Sequence, residues 1–257
     1  MSLLKTIIDI AAPLPDIEKY DRFLFVGPHP DDIEIGAGAT AAKLAAAGKT
    51  ICFLICTDGR FGDELCREKG DELAALRKRE ALASAAMLGV HDVRFLDFCD
   101  GNVYDYAAFR DAIGGVIGEF GPQVVFAPDP DVISECHADH LNTGRACKEL
   151  AFAASNPGTI EAHGGKAAPV EAIAFYMTAS ATKFVRTAGY LPKQLAAVFE
   201  CHQSQFPKGC ADAASISLYL KLRAYDFGIR KLCKTAEGFR VLGKTQMHCL
   251  PEAGIIR

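Results

Sequence analysis

The sequence has no block of lysine and arginine, no membrane-length apolar run, no CxxC pair, no internal repeat and no low-complexity tract or linker-like stretch. Each absence excludes a class. The 28 basic and 32 acidic residues are spread along 257 positions for a formal charge of -4. A chain without a concentrated basic stripe cannot neutralise a phosphate backbone, so nucleic acid is not an expected partner. No apolar segment approaches the roughly 18 residues of a membrane span. At the N-terminus, Lys5, Asp9 and Asp16 interrupt the apolar residues before a signal-length region forms. Ten cysteines would suit a disulfide framework in a small secreted chain, but this chain is long and shows no export signal. Cys52, Cys56 and Cys99 lie in apolar, strand-like runs, which predicts buried free thiols in a reducing cytoplasm.

What is present is a periodic α/β pattern. Residues 22–38 read RFLFVGPHPDDIEIGAG: an apolar run stops at Gly27-Pro28, polar side chains follow, and glycines open an alanine-rich helical stretch. Further short apolar runs, which fit strands buried on both faces, fall at 50–56, 93–98, 123–127 and 172–177. Helical spacing fills 35–47, 71–88, 106–120 and 141–154, the third despite Gly114, Gly115 and Gly118. Repeated strand-then-helix units imply right-handed crossovers and a parallel sheet. Beyond them an added strand at 184–189 and helices at 192–201 and 211–234 form a C-terminal extension, the last helix bent near Gly228. The expectation is one domain over 1–257: a Rossmann-like three-layer α/β sandwich with a mostly parallel sheet.

Chemistry concentrates at two strand ends. His29-Pro30-Asp31-Asp32 follows the first strand and His137-Ala138-Asp139-His140 follows the fourth, so a parallel sheet brings both to one edge. A catalytic zinc takes three protein ligands, typically histidine and carboxylate, and keeps an open position. His29 and Asp32 can converge on one point, with Asp31 facing the open side. His137 and His140 share a face if a helix begins there, one completing the site and the other standing beside a substrate. Either acidic turn alone is explained as well by helix capping; the pair at matching strand ends favours metal. The glycine-punctuated segment at 60–70 lies near the strand ends as a candidate lid.

These motifs resemble the PIG-L or LmbE-like deacetylases, zinc enzymes that remove acetyl groups from N-acetylglucosamine-type substrates. PHPDD at 28–32 and HADH at 137–140 look like the family's two motifs, the second usually written with proline in second place. TDGRFG at 57–62, Arg77 with Glu80, the Asp100-Gly101 turn and HQSQ at 202–205 follow in the expected order, and EGFRV with HCLP at 248–251 is similar to the family's archaeal-type members. The resemblance implies that His29, Asp32 and His140 hold Zn2+, or another divalent metal such as Fe2+. Asp31 would be the general base, and His137 would act beside the scissile carbonyl with Asp139 as its orienting partner. Arg77 and Asp100 would contact the sugar, and His248 would complete the site, across a subunit boundary if the chain is a trimer or hexamer. The alternative on the same scaffold is hydration of an unsaturated dicarboxylic acid, for which Arg60, Arg67 and Arg77 would form a basic lining.

Overall fold

A computed structural model describes residues 3–62, 68–248, 250 and 252. Its elements alternate from β1 (Arg22–Gly27) through α2 (Asp32–Ala46), β2 (Thr50–Thr57), α3 (Gly70–Leu88), β3 (Asp92–Phe98), α4 (Tyr106–Phe120), β4 (Val124–Pro128) and α5 (Ala138–Ala153) to β5 (Ala172–Tyr176). A helix α1 (Leu3–Ala11) precedes this series, and a short α6 (Pro157–Glu161) lies within it. β6 (Lys183–Arg186), α7 (Leu191–Ala196), α8 (Ala211–Arg230) and β7 (Ala236–Gly243) complete the fold.

The seven-stranded sheet runs β3-β2-β1-β4-β5-β7-β6. Its first five strands pair in parallel, and β7 joins both β5 and β6 antiparallel. The expected mostly parallel α/β architecture is therefore present, with β6 and β7 as an added antiparallel edge. Side-chain alternation explains the unbroken apolar runs: Phe23 and Phe25 of β1 enter one core beneath α2 and α3, while Leu24 and Val26 enter the other with α4 and α5. Phe25 stacks on Phe126 of β4 with ring centroids 4.2 Å apart.

The glycines of α4 record a close approach. A Cβ on Gly118 would lie 2.1 Å from the Lys166 backbone nitrogen, and one on Gly114 would lie 2.6 Å from the His163 carbonyl oxygen. The 163–166 segment lies against the helix there, so small residues are required despite their low helix propensity. The eight described cysteines are free, with Cys52, Cys56 and Cys147 buried. Burial pushes the Cys52 thiol up to about 12, which keeps it unreactive.

Expectation and structure differ at the C-terminal end. The added strand is shorter than 184–189 suggests, and the 192–201 helix is α-helical only to Ala196 before a wider π turn. The last helix stops at Arg230, where Lys231 caps it. β7 follows, and it carries two buried charges. The Glu237 carboxylate accepts hydrogen bonds from the Ala39 and Thr40 backbone N–H groups inside α2, at 3.1 and 2.7 Å. Burial raises its pKa from the ordinary 4.5 to about 7, against the lowering effect of those donors. A carboxyl with a raised folded-state pKa contributes stability that is complete below pH 4.5 and is lost as pH rises through about 7. The stability of the wild type relative to Glu237→Gln, from urea unfolding at a series of pH values, is therefore expected to fall across that window. A pH-independent difference would contradict it.

Candidate metal centre

The strand order reverses at the β1–β4 seam, and in open α/β sheets that switch point opens a crevice at the carboxyl ends of the strands. His29 to Asp32 leave β1 on one side of the crevice, and His137 to His140 leave β4 on the other. The Asp32 carboxylate links them: Oδ2 lies 3.0 Å from His29 Nδ1 and Oδ1 lies 3.4 Å from His140 Nε2. One donor atom from each of His29, Asp32 and His140 falls within 4.8 Å of the other two.

The outer nitrogen of each histidine is braced. His29 Nε2 meets Asp100 Oδ1 at 3.0 Å and Asp139 Oδ2 at 3.3 Å. His140 Nδ1 meets Glu135 Oε2 at 3.1 Å, and Glu135 Oε1 accepts from the His137 backbone N–H at 2.8 Å. Metal-binding histidines characteristically have such an outer acid, which fixes ring orientation and raises basicity. Burial opposes charge on His29, but Asp100, Asp139 and Asp32 together hold its pKa well above 6.5. The same concentration of carboxylates around two imidazoles suits a divalent cation, so the donor set fits a metal. Asp100→Asn is expected to weaken metal affinity by about 10- to 100-fold, read by competition with a chelating dye. Unchanged affinity would show that Asp100 does not orient His29.

Asp31 stands apart from this donor set. Its backbone lies at φ 152°, a region costly for a residue with a Cβ, and its side chain makes no capping hydrogen bond to α2. The capping explanation for this carboxylate therefore fails. Burial raises the Asp31 pKa to about 6, with Arg77 pulling the other way. Arg77 itself is buried: Nη2 lies 3.3 Å from Asp31 Oδ1, and its guanidinium donates to the Gly59 and Pro30 carbonyls at 3.1 and 3.3 Å. Gly59 is small because of this, since a Cβ there would sit 2.5 Å from Arg77 Nη1.

Several of the sequence-derived site residues have protein partners of their own in the fold. Arg77, expected on the sugar, sits beside Asp31 with only 4 % exposure, and Asp100, also expected there, lies against His29. Nor does Arg77 pair with Glu80, whose carboxylate instead holds Ser204 through its backbone N–H and hydroxyl. Asp139 is not the N-cap of α5; His137 is, its Nδ1 accepting from the Asp139 backbone N–H at 3.3 Å. Fully buried, Asp139 binds the Gly101 and Asn102 N–H groups and the Tyr104 hydroxyl at 2.8, 3.0 and 2.7 Å, which fixes the loop bearing Asp100. Burial would raise its pKa, but His29, then Tyr104 and the Gly101 N–H, hold it down. Its side chain is 3.8 Å from His137 Nδ1, so contact with His29 is the tighter one. Ala138 takes the first helical position of α5, where proline fits equally well.

His137 keeps its side chain 47 % exposed beside His29, with ring centroids 4.6 Å apart. Burial, then the neighbouring His29 and His140, lowers its pKa. His248 lies elsewhere: its ring meets Phe152 at 5.3 Å, near the far end of α5. At 1.5 Å per residue, that is about 18 Å along the helix from His140. Glu135 and the fully buried His202, whose Nε2 is 3.5 Å from Glu34 Oε1, carry no role in the sequence reading. ECHADH and HQSQ were the available signals. Of the proposed basic lining, Arg60 is paired with Asp58 and Asp71, Arg77 is buried, and Arg67 lies outside the described residues. Residues 63–67 of the lid candidate, and Cys249 and Pro251 of HCLP, also lie outside them.

Two histidines and an aspartate, each imidazole held from behind by an acid and with a further buried carboxylate alongside, form a candidate divalent-metal site on an α/β sheet. The family model for PIG-L, GlcNAc-PI de-N-acetylase, matches residues 24–151. A diacetylchitobiose deacetylase of Thermococcus kodakarensis is 32 % identical over 257 residues, covering 99 % of this chain and 94 % of its own. The N,N'-diacetylchitobiose deacetylase from Pyrococcus horikoshii, solved with its inhibitor MPG, superposes with a TM-score of 0.82 at 28 % identity, over 98 % of this chain and 97 % of that one. The hydratase GalB from Pseudomonas putida, at 18 % identity and a TM-score of 0.69 over 87 % and 96 % of the two chains, shares the fold. The chain belongs to the PIG-L family of de-N-acetylases.

Proposed function

We propose that the chain is a divalent-metal-dependent N-deacetylase that hydrolyses the acetamide of an N-acetylglucosamine-type glycoside, with Zn2+ at His29, Asp32 and His140. The observation carrying this reading is the site itself: three convergent donors with a buried carboxylate, held by Arg77, beside them, in a chain whose full-length relative is a diacetylchitobiose deacetylase. A bound divalent cation supplies Lewis acidity, making water a usable nucleophile near neutral pH and polarising the amide carbonyl.

The chain's own residues do the proton work. Asp31, held by Arg77, takes the proton from the attacking water and returns it to the amine as the C–N bond breaks, releasing acetate. His137, exposed at the rim, donates to the carbonyl oxygen as negative charge develops there. Arg77 and Asp100 orient Asp31 and His29 from below. His248 is out of reach of its own site, so any part it plays is at the site of a neighbouring copy in a homo-oligomer, a trimer or hexamer by family resemblance. No helix among the described residues is long and apolar enough to cross a membrane. The described cysteines are all free, which suits a reducing compartment, and on that ground we place the enzyme in the cytoplasm.

Purified protein with one equivalent of Zn2+, and separately Fe2+, is expected to release acetate from N-acetylglucosamine or diacetylchitobiose. Stripping the metal with a chelator should abolish release, and re-addition should restore it. Absence of acetate from every N-acetylated sugar tried, with turnover of an unsaturated dicarboxylic acid instead, would replace this reading by the hydratase one.

A further inference from the structure

The outward face of α8 is apolar in a regular pattern. Leu218, Leu222, Tyr225 and Ile229 are 46 to 73 % exposed and spaced four, three and four residues apart. Leu220, Ala224 and Phe227 on the opposite face are buried against the body of the protein. A surface helix normally shows water its polar side, yet this one carries an apolar stripe on each side. The outer stripe has the alternating spacing of a two-helix seam, with Leu218 and Tyr225 in one core position and Leu222 and Ile229 in the other.

Leu232 extends the stripe by three more residues and does so at a cost. It occupies the left-handed position just beyond the helix, at φ 54°, and is 90 % exposed. The Cys233 N–H donates to the Gly228 carbonyl at 2.8 Å, which closes a Schellman cap around it. Glycine is the usual residue at that position because a Cβ is strained there. A leucine both strained and exposed adds apolar surface just past the end of the helix, where its N–H bonds the Ile229 carbonyl at 3.1 Å.

We infer that α8 is the contact between two copies of this chain, paired in parallel about a two-fold axis running along the helix. Charge selects the occupant and the direction. Lys221 and Asp226 flank the stripe five residues apart on opposite sides, which is the spacing at which flanking charges of parallel helices face each other across a seam. A two-fold axis makes the contact twice, Lys221 of each copy opposite Asp226 of the other. Asp226 is already held from its own helix by Arg230 at 2.8 Å, so its carboxylate is oriented before pairing. Any assembly built through other surfaces is doubled by this pairing. The inference does not depend on the metal or the substrate.

Particle mass by light scattering tests it. Leu222→Lys lies on an exposed position and is expected to halve the mass of the wild type while leaving far-ultraviolet circular dichroism and metal content unchanged. Leu232→Gly relieves the strained cap and should also shift the mass downward without loss of fold. Ile229→Cys, off the centre of the stripe, places like residues opposite each other only in the parallel pairing and should give a covalent dimer on mild oxidation in excess of the wild-type background. Equal masses for wild type and Leu222→Lys would overturn the inference, as would no excess cross-linking by Ile229→Cys. Recovery of the wild type, but not Leu222→Lys, on neutral phosphatidylcholine vesicles would assign the stripe to a lipid surface and overturn it too.

Discussion

Asparagine at position 31 is expected to lower kcat by about 10²- to 10⁴-fold, the usual contribution of a positioned general base. Metal stoichiometry should stay at the wild-type value, because Asp31 lies outside the His29, Asp32 and His140 donor group. The substitution is nearly isosteric, so the strained turn and its packing against Arg77 persist while the carboxylate proposed to accept the proton is gone. Asp32→Asn differs in kind: it removes a donor and should lose metal and turnover together. Measuring metal content and acetate release on both variants separates base from ligand. Near-normal kcat for Asp31→Asn would remove Asp31 from the mechanism.

The largest stability effect is expected away from the site. Arg240 of β7 is bonded through two nitrogens to the Asp129 carboxylate, with Nε to Oδ2 at 2.8 Å, and the Asp129 side chain is only 3 % exposed. The guanidinium also lies over the Phe175 ring at 4.4 Å and reaches Asp131 at 2.8 Å. Truncating Asp129 to alanine leaves a buried cation with one half-exposed partner, a loss of about 3 to 5 kcal/mol. For a chain of this length that is roughly 6 to 20 °C in Tm. Burial alone would raise the Asp129 pKa, but Arg240 overrides it and holds the group below its ordinary 3.8. A depressed carboxyl contributes stability that is present above 3.8 and is lost as pH falls below it, so the penalty should shrink in acid. Unfolding of Asp129→Ala within 1 kcal/mol of wild type at neutral pH would show the pair to be dispensable.

Both residues illustrate what can be read from a sequence and what cannot. β1, β2, β4 and β5 are legible because strands buried on both faces leave continuous apolar runs. β7 escapes because Glu237 and Arg240 interrupt such a run, and the partners that make those charges tolerable come from α2 and the β4 loop. α1 escapes for another reason: Leu3, Leu4, Ile7 and Ile10 are exposed, so its apolar residues do not announce a core. His29, Asp32, His137 and His140 are readable from type and spacing, and their neighbours are less so. Glu135 has no motif of its own, and Arg77 looks like a surface residue of a charged helix until tertiary packing buries it under Asp31. Asp139 could have been a cap; only the 101–104 loop closing onto it reveals its work.

The β1–β4 seam would also couple a bound cation to folding. His29 and Asp32 hang from one strand and His140 from another laid down far later in the chain, so the unfolded polypeptide cannot present them together. Binding energy then accrues only once the central parallel pairing has formed, and a free ion concentration of 100 times its Kd adds about 2.7 kcal/mol to the folded state. A cation held there would clasp the middle of the sheet, and thermal resistance should climb with its concentration. Depletion in the cell would loosen the strands beneath the catalytic crevice before any edge of the sheet.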